Sequence, residues 1–277
     1  MTAPLATAIV AARNEERHIA ECLRSLRAQS WRPLEIIVVD DGSTDRTAEI
    51  VRSFPDVRLI SQPHRGKAPA VNGAAETAQG EVLLFVDGDL VLEPDYVARL
   101  VEPIVAGACV GTAHATERVA NPDNPWAACF QIAAGLPPDQ RLRLDPLAMA
   151  EGSIVFRAVR AAEFRRVGGF DDIGYLDDQT LCPKLGVRAR WIPEAACAHY
   201  NPETLREVFG SGVWGAQSVL FLHGRKALVH YQPFASLLRA VAEARRRRHA
   251  PLFTYKAVYE TGVCWGLLTS RRPRGGR

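Results

Sequence analysis

Three acidic segments each follow a short apolar run: Arg13-Asn14-Glu15 after Ala6 to Ala11, Asp40-Asp41-Gly42-Ser43 after Leu34 to Val39, and Asp87-Gly88-Asp89 after Val82 to Val86. Ligands of open parallel sheets bind outside the carboxyl ends of the strands, so acids at those points are the first candidates for chemistry. Gathered at one edge, such acids suit a nucleotide and a divalent cation: one grips ribose hydroxyls or a base, and others hold the cation against a diphosphate. Each segment also has a structural reading, since Asp-Gly after a strand signals a turn and Ser43-Thr44-Asp45 can cap a helix.

The elements that must position these acids alternate along the first hundred residues. Ile19, Cys22, Leu23 and Leu26 have the spacing of a helix face behind a candidate cap at Asn14, and Thr47, Ile50, Val51 and Phe54 repeat it behind Ser43 and Thr44. Val57 to Ile60 reads as a strand, Val71, Ala74, Ala75 and Ala78 as a helix, and Val97, Leu100, Val101 and Ile104 as a helix opened by Pro94. Strand and helix in alternation predict a parallel sheet covered on both faces. Beyond Gly107 the pattern is mixed, with short strands expected at Cys109 to Ala115, Ile154 to Phe156, Ala189 to Ile192 and Ala196 to His199. From Thr204 the chain reads as helical, with breaks near Gly224 and Pro251.

Composition narrows the class. With 277 residues, 47% hydrophobic and 23% charged, the chain suits one large domain or a domain plus an extension, and neither a disordered nor a fibrous protein. The six cysteines show no C-x-x-C pair or metal-binding spacing, as expected of reduced thiols. Thr2 to Val10 runs into Arg13, Glu15, Glu16 and Arg17 without a basic and apolar leader, which points to the cytoplasm. The longest uncharged run, Val208 to Gly224, carries four glycines and is short for a membrane span. From Arg239 onward ten basic residues face two glutamates, whereas the preceding chain has 24 basic against 29 acidic residues. Arg245 to Arg248 with Arg271, Arg272, Arg274 and Arg277 therefore suggest contact with anionic lipid or nucleic acid, or else a solvated helix face.

Taken together, Asn14-Glu15, VVDDGSTDRT (Val38 to Thr47), RGKAPAVNGA (Arg65 to Ala74) and GEVLLFVDGD (Gly80 to Asp89) resemble family 2 glycosyltransferases of the GT-A fold, in order and in spacing. The likeness continues through GGFDD (Gly168 to Asp172), LDD (Leu176 to Asp178) and IPEAACAHY (Ile192 to Tyr200). The resemblance implies a Rossmann-like, mostly parallel α/β sheet with helices on both faces in a catalytic domain over 1–203. Within it, about 1–106 would bind the sugar nucleotide and 107–203 the acceptor, and 204–277 would be a basic helical extension. It implies an inverting transfer from a nucleoside-diphosphate sugar, of UDP or GDP type, to an acceptor hydroxyl such as that of a lipid-linked or cell-envelope glycan. Mg²⁺ or Mn²⁺ would be the cofactor.

Residue by residue, Asp178 matches the family's general base. Ala12, Asn14, Glu15, Asp41, Lys67, Asp87, Gly88 and Asp89 match donor-binding positions. Glu151, Gly152, Asp177 and Asp178 match acceptor-binding positions. Asp89, Asp87 and His199 match metal ligands. A helix cap competes for Asp177 and Asp178, a turn for Asp41, and core packing for His199. Gly168-Gly169-Phe170 reads as a helix-ending turn with a packing aromatic. Trp126 and Trp214 are candidate sugar platforms or ordinary packing residues. The tail could touch the cytoplasmic face of a membrane, the stretch from Leu252 to Trp265 lying along it or packing on the catalytic domain; nucleic acid is the less favoured partner.

The chain departs from the family pattern after the base. Another acid is usual there, but Gln179-Thr180 stands in its place and Pro183 follows, so the helix must end early or kink. A non-catalytic sugar-nucleotide binder with an altered acceptor side is therefore the alternative reading.

Overall fold

Period-two alternation within uniformly apolar strands makes two cores from one sheet. In β1 (Ala6–Ala12), Ala6, Ala8, Val10 and Ala12 are buried in one cluster while Ile9 joins another. Helix α1 (Ile19–Arg27) buries Ile19, Cys22, Leu23 and Leu26 in the first cluster. Strand β2 (Leu34–Asp41) follows, then α2 (Thr47–Arg52), β3 (Arg58–Gln62), α3 (Lys67–Thr77), β4 (Val82–Asp87), β5 (Leu90–Leu92) and α4 (Tyr96–Val105). Helices α1, α2 and α4 cover one face; α3, buried through Ala68, Ala70, Val71, Ala74 and Ala75, covers the other. Both faces being covered is why the strands carry no polar alternation.

The structure, a computed structural model, describes residues 3–141, 146–173, 176–223, 228, 231 and 233–269. The later elements are β6 (Gly111–Val119), α5 (Pro125–Ala134), α6 (Pro146–Glu151), β7 (Ala158–Arg160), α7 (Ala161–Arg166), a 3-10 turn (Asp177–Gln179), α8 (Leu181–Leu185), β8 (Arg190–His199), α9 (Leu205–His223), α10 (Pro233–Arg247) and α11 (Pro251–Thr269). The sheet order is β3-β2-β1-β4-β7-β6-β8-β5. β1 pairs in parallel with β2 and β4, and β2 with β3; β7 lies antiparallel to both β4 and β6.

Several expectations need correction. Residues 154–156 form no strand: Ser153 bridges Ala189, and β7 begins at Ala158. The two strands expected around Pro193 are one, β8, because a proline removes only one ladder donor and its carbonyl still accepts, here from Thr116 Oγ1 at 2.8 Å. Asn14 is not a helix cap. His18 precedes α1 without a side-chain cap, and Asn14 adopts φ 58°. Nor do Ser43 and Thr44 cap α2: Arg46 stands at the cap position without a side-chain bond, and Asp45 just before it accepts from the Thr47 N–H at 2.9 Å. Pro183 is the third residue of α8, in the first turn where no intrahelical N–H bond is lost, and the helix stops at Gly186 with φ 69°.

By internal contacts the chain forms two compact units. The first comprises Met1–Glu117, Leu142–Asp172 and Asp177–Ala198, and the second Arg118–Arg141, Ile173–Leu176 and His199–Arg277. In the second, Asn124 caps α5 by accepting from Trp126 N–H at 2.9 Å, and Trp126 packs against the cluster of Cys129, Val208, Leu252 and Tyr255. Trp214 is 54% exposed. Helices α9 and α11 meet along a glycine seam: a Cβ on Gly212 would lie 2.2 Å from the Tyr259 carbonyl oxygen, and one on Gly262 2.3 Å from that of Phe209. Arg239 of α10 pairs with the buried Glu260 of α11. Arg245 to Arg248 are exposed, with Arg246 and Arg247 paired to Glu243. Arg271, Arg272, Arg274 and Arg277 lie outside the described residues. Among the described residues no helix is long and apolar enough to cross a membrane.

Candidate active site

Strand register brings the acidic segments to one line. Ala12 lies opposite Asp40 between β1 and β2, Ala11 opposite Asp87 between β1 and β4, and Asp41 opposite Gln62 between β2 and β3. Gly88 then permits a close approach: a Cβ there would stand 3.2 Å from Glu15 Cγ and 3.6 Å from Ala12 Cβ. Ala12, Glu15 and Gly88, expected together from the sequence, are neighbours.

The loops behind this line are tied to each other. Asn14 Oδ1 accepts from Thr44 N–H at 2.8 Å, Ser43 Oγ accepts from Asn14 N–H at 3.0 Å, and Thr47 Oγ1 accepts from Glu15 N–H at 2.7 Å. The left-handed backbone of Asn14, which asparagine tolerates better than most residues, lets its side chain reach across to β2's loop.

Asp41 accepts four hydrogen bonds within the chain. Gln62 Nε2 (2.8 Å) and Arg65 N–H (2.8 Å) donate to Oδ1; His64 Nδ1 (2.7 Å) and Gly66 N–H (2.9 Å) meet Oδ2. Burial pushes this carboxyl up, but the four bonds outweigh it and leave the pKa below its ordinary value. Asp41 thus moulds the 62–66 loop that delivers Lys67.

The charged centre lies at Asp87. Lys67 Nζ donates to its Oδ1 at 2.5 Å and Arg157 Nη1 to its Oδ2 at 3.0 Å. Burial pulls the Lys67 pKa down, yet the charges of Asp87 and Asp178 more than offset it and leave it raised. Arg157 is also raised, against its burial, by Asp87, Tyr96, Glu117 and Asp178. Behind it Tyr96 Oη meets His114 Nδ1 at 2.8 Å, and His114 Nε2 meets Glu117 at 3.1 Å. Asp177 and Asp178 are raised chiefly by burial, Asp177 from 3.8 to about 6; Lys67 lowers both, and Arg157 also lowers Asp178. Lys67, Asp87, Arg157, Asp177 and Asp178 therefore belong to one electrostatic cluster.

Arg157, Asn72 and Thr180 were not anticipated as functional residues. The available signal for Arg157 was a charge inside the apolar run Ile154 to Val159, where burial demands a partner. Gly168-Gly169-Phe170 is the turn expected: both glycines have positive φ, and Phe170 packs edge-on against Phe85 and Phe164. Glu151 is exposed and lies 3.9 Å from Arg188, while Gly152 holds φ 81° beside Ala189. His199, the end of β8, belongs to the second unit, where its carbonyl accepts from Ala120 N–H at 2.9 Å.

Among the described residues no group of three or more His, Cys, Asp and Glu side chains converges as a metal cage. A magnesium-type cation bound through one or two carboxylates and substrate phosphates needs none. The hard oxygens of Asp87 and Asp89, either side of Gly88, fit that mode.

This sheet, with acids at the carboxyl ends of β1, β2 and β4, defines the GT-A class of glycosyltransferase fold. Two solved structures share it. The mannosyltransferase PcManGT from Pyrobaculum calidifontis, in complex with GDP-Man and Mn²⁺, superposes with a TM-score of 0.61 at 23% identity, over 96% of this chain and 87% of that one. Residues 1–349 of TarS from S. aureus, in complex with UDP-GlcNAc, give 0.58 at 17% identity, over 92% and 90%.

The chain belongs to glycosyl transferase family 2, whose family model matches residues 7–162, more than half its length. Among curated relatives, the glycosyltransferase GlyA of Streptococcus pneumoniae is 37% identical over 103 residues, 36% of this chain and 15% of that protein. The match to EpsH of Bacillus subtilis likewise spans 30% of that protein's length.

Proposed function

We propose that this chain transfers a sugar, with inversion, from a nucleoside-diphosphate sugar of UDP or GDP type to an acceptor hydroxyl. The observation that supports the reading is the shared cluster of Lys67, Asp87, Arg157 and Asp178, in which the carboxylate assigned here as the base feels two cations at the edge where a diphosphate would lie. Asp178 takes the acceptor's proton as its oxygen bonds to the anomeric carbon; the carbon–oxygen bond to the diphosphate breaks, and the nucleoside diphosphate leaves with that electron pair. Lys67 favours the ionised Asp178 before reaction. Asn14, Glu15, Asp41 and the loops they tie shape the nucleoside side, and Glu151, Gly152 and Asp177 are assigned to the acceptor side.

Asp89, with Asp87, would hold Mg²⁺ or Mn²⁺, which when bound offsets charge developing on the leaving diphosphate. Asp87 already answers two cations, so Asp89 is the principal ligand in this assignment. The donors named for PcManGT and TarS, GDP-Man and UDP-GlcNAc, support the choice of a sugar nucleotide.

A melting-temperature panel of UDP, GDP and their sugars, with and without Mn²⁺, tests this reading. A shift that requires the metal and vanishes in Asp89→Ala is expected; equal shifts in both proteins would reject the metal role. Selective binding without turnover for a series of hydroxyl acceptors would favour a non-catalytic binder. The exposed arginines ending α10 are assigned to an anionic membrane surface carrying such an acceptor; co-sedimentation with phosphatidylserine vesicles that is unaffected by salt would reject this.

A further inference from the structure

The turn carrying Asp178 is held to the donor side by a chain of side-chain bonds that runs through a threonine. Helix α3 begins at Lys67, which reaches Asp87, and five residues later Asn72 clamps Phe170 from both sides. Its Nδ2 donates to the Phe170 carbonyl at 2.8 Å, and its Oδ1 accepts from the Phe170 N–H at 3.0 Å. The fit is close enough that a Cβ on Gly169 would lie 2.3 Å from Asn72 Oδ1.

Lys184 adds bonds to the Gly169 carbonyl (2.6 Å) and to Asp171 Oδ1 (2.8 Å). From this clamped segment the Asp171 N–H donates to Thr180 Oγ1 at 2.9 Å, and the same hydroxyl donates to the Asp177 carbonyl at 2.5 Å. Thr180 is 9% exposed, so water is a poor substitute for either partner. The Thr180 hydroxyl thus joins the Asp171 N–H to the Asp177 carbonyl through one atom.

We propose that Thr180 is a positioning residue whose hydroxyl ties the Asp177–Gln179 turn to the segment that Asn72 fixes on α3, and thereby sets where Asp178 stands relative to the bound donor. Thr180 occupies the stretch where the family resemblance led to the expectation of a further acid, and a carboxylate could not donate to the Asp177 carbonyl as the hydroxyl does. The inference rests on Asp178 being the base.

The test uses the full chain and the sugar nucleotide that raises its melting temperature, following release of nucleoside diphosphate with and without acceptor. Asp178→Asn should reduce transfer by at least about 100-fold. Thr180→Val, which keeps the shape and loses both bonds, should lower kcat by about 10- to 100-fold while the donor KM stays within about twofold, and Thr180→Ser should restore most of kcat. Should the valine variant fail to fold, Lys184→Met loosens the same segment from a more exposed position and should lower kcat severalfold with the donor KM unchanged.

Wild-type kcat in Thr180→Val while Asp178→Asn is inactive would overturn the tie and leave the base standing. So would equal falls in Thr180→Val and Thr180→Ser, or an unchanged kcat in Lys184→Met where it is the variant tested. Full activity in Asp178→Asn would instead overturn the base, and the tie with it.

Discussion

The donor edge and the base turn are built by opposite means. At the donor edge, three parallel strands bring Ala11, Ala12, Asp40, Asp41 and Asp87 into line through backbone register, and the loops beyond them are bonded to one another at Asn14, Thr44, Thr47 and Asp41. Asp177 and Asp178 sit in a three-residue 3-10 turn outside the sheet ladders, tied through Thr180 and by charge. A sheet edge fixes many groups with one set of ladder bonds, whereas the turn depends on single side chains. The strand-end edge can therefore stay fixed while the turn at Asp177–Gln179 changes by a few substitutions.

That contrast can be broken most severely at Arg157. Its side chain is 16% exposed and answers Asp87, so Arg157→Met removes one of the cations paired with a largely buried carboxylate; a loss of about 3 kcal/mol in urea unfolding is expected. A loss within error would show that the charge pair is well solvated. Gly169→Ala comes next, because φ 67° and the contact with Asn72 Oδ1 both oppose a methyl group. About 1–3 kcal/mol should be lost, with donor affinity retained if the two regions are independent.

The effect confined to the narrowest conditions is the pH dependence of Asp177. Its folded pKa, about 6, lies above its ordinary 3.8, so its bound proton stabilises the fold fully below about pH 4, and that contribution is lost as the pH rises through about 6. Asp177→Asn should flatten the stability profile over this interval. An unaltered slope would place the titration elsewhere.

The same division explains what could be read in advance. Strands β1, β2 and β4 with α1, α3 and α4 were legible because burial on both sheet faces leaves uninterrupted apolar runs between helical periodicities. The acids at their ends were legible because position after a strand carries meaning in such sheets. β7 and the continuity of β8 were not, since a three-residue strand has too little pattern and Pro193 reads as a break.

Thr180 and Asn72 escaped notice for a different reason. Their roles depend on bonds to backbone groups 3 to 98 positions away, which local composition does not encode. Asn14, expected both as a cap and at the donor side, is not a cap: its side chain cross-links two strand ends.

Cys22 offers a last consequence. Its thiol is buried beneath β4, donates to the Asp87 carbonyl at 3.5 Å, and is held far above its ordinary pKa, first by burial and then by the charges of Asp89, Asp87 and Glu15. A protonated, enclosed sulfur is silent toward alkylating reagents. Its labelling rate would then count how often this corner of the molecule opens, making Cys22 a natural gauge of breathing at the carboxyl end of β4 without any introduced probe.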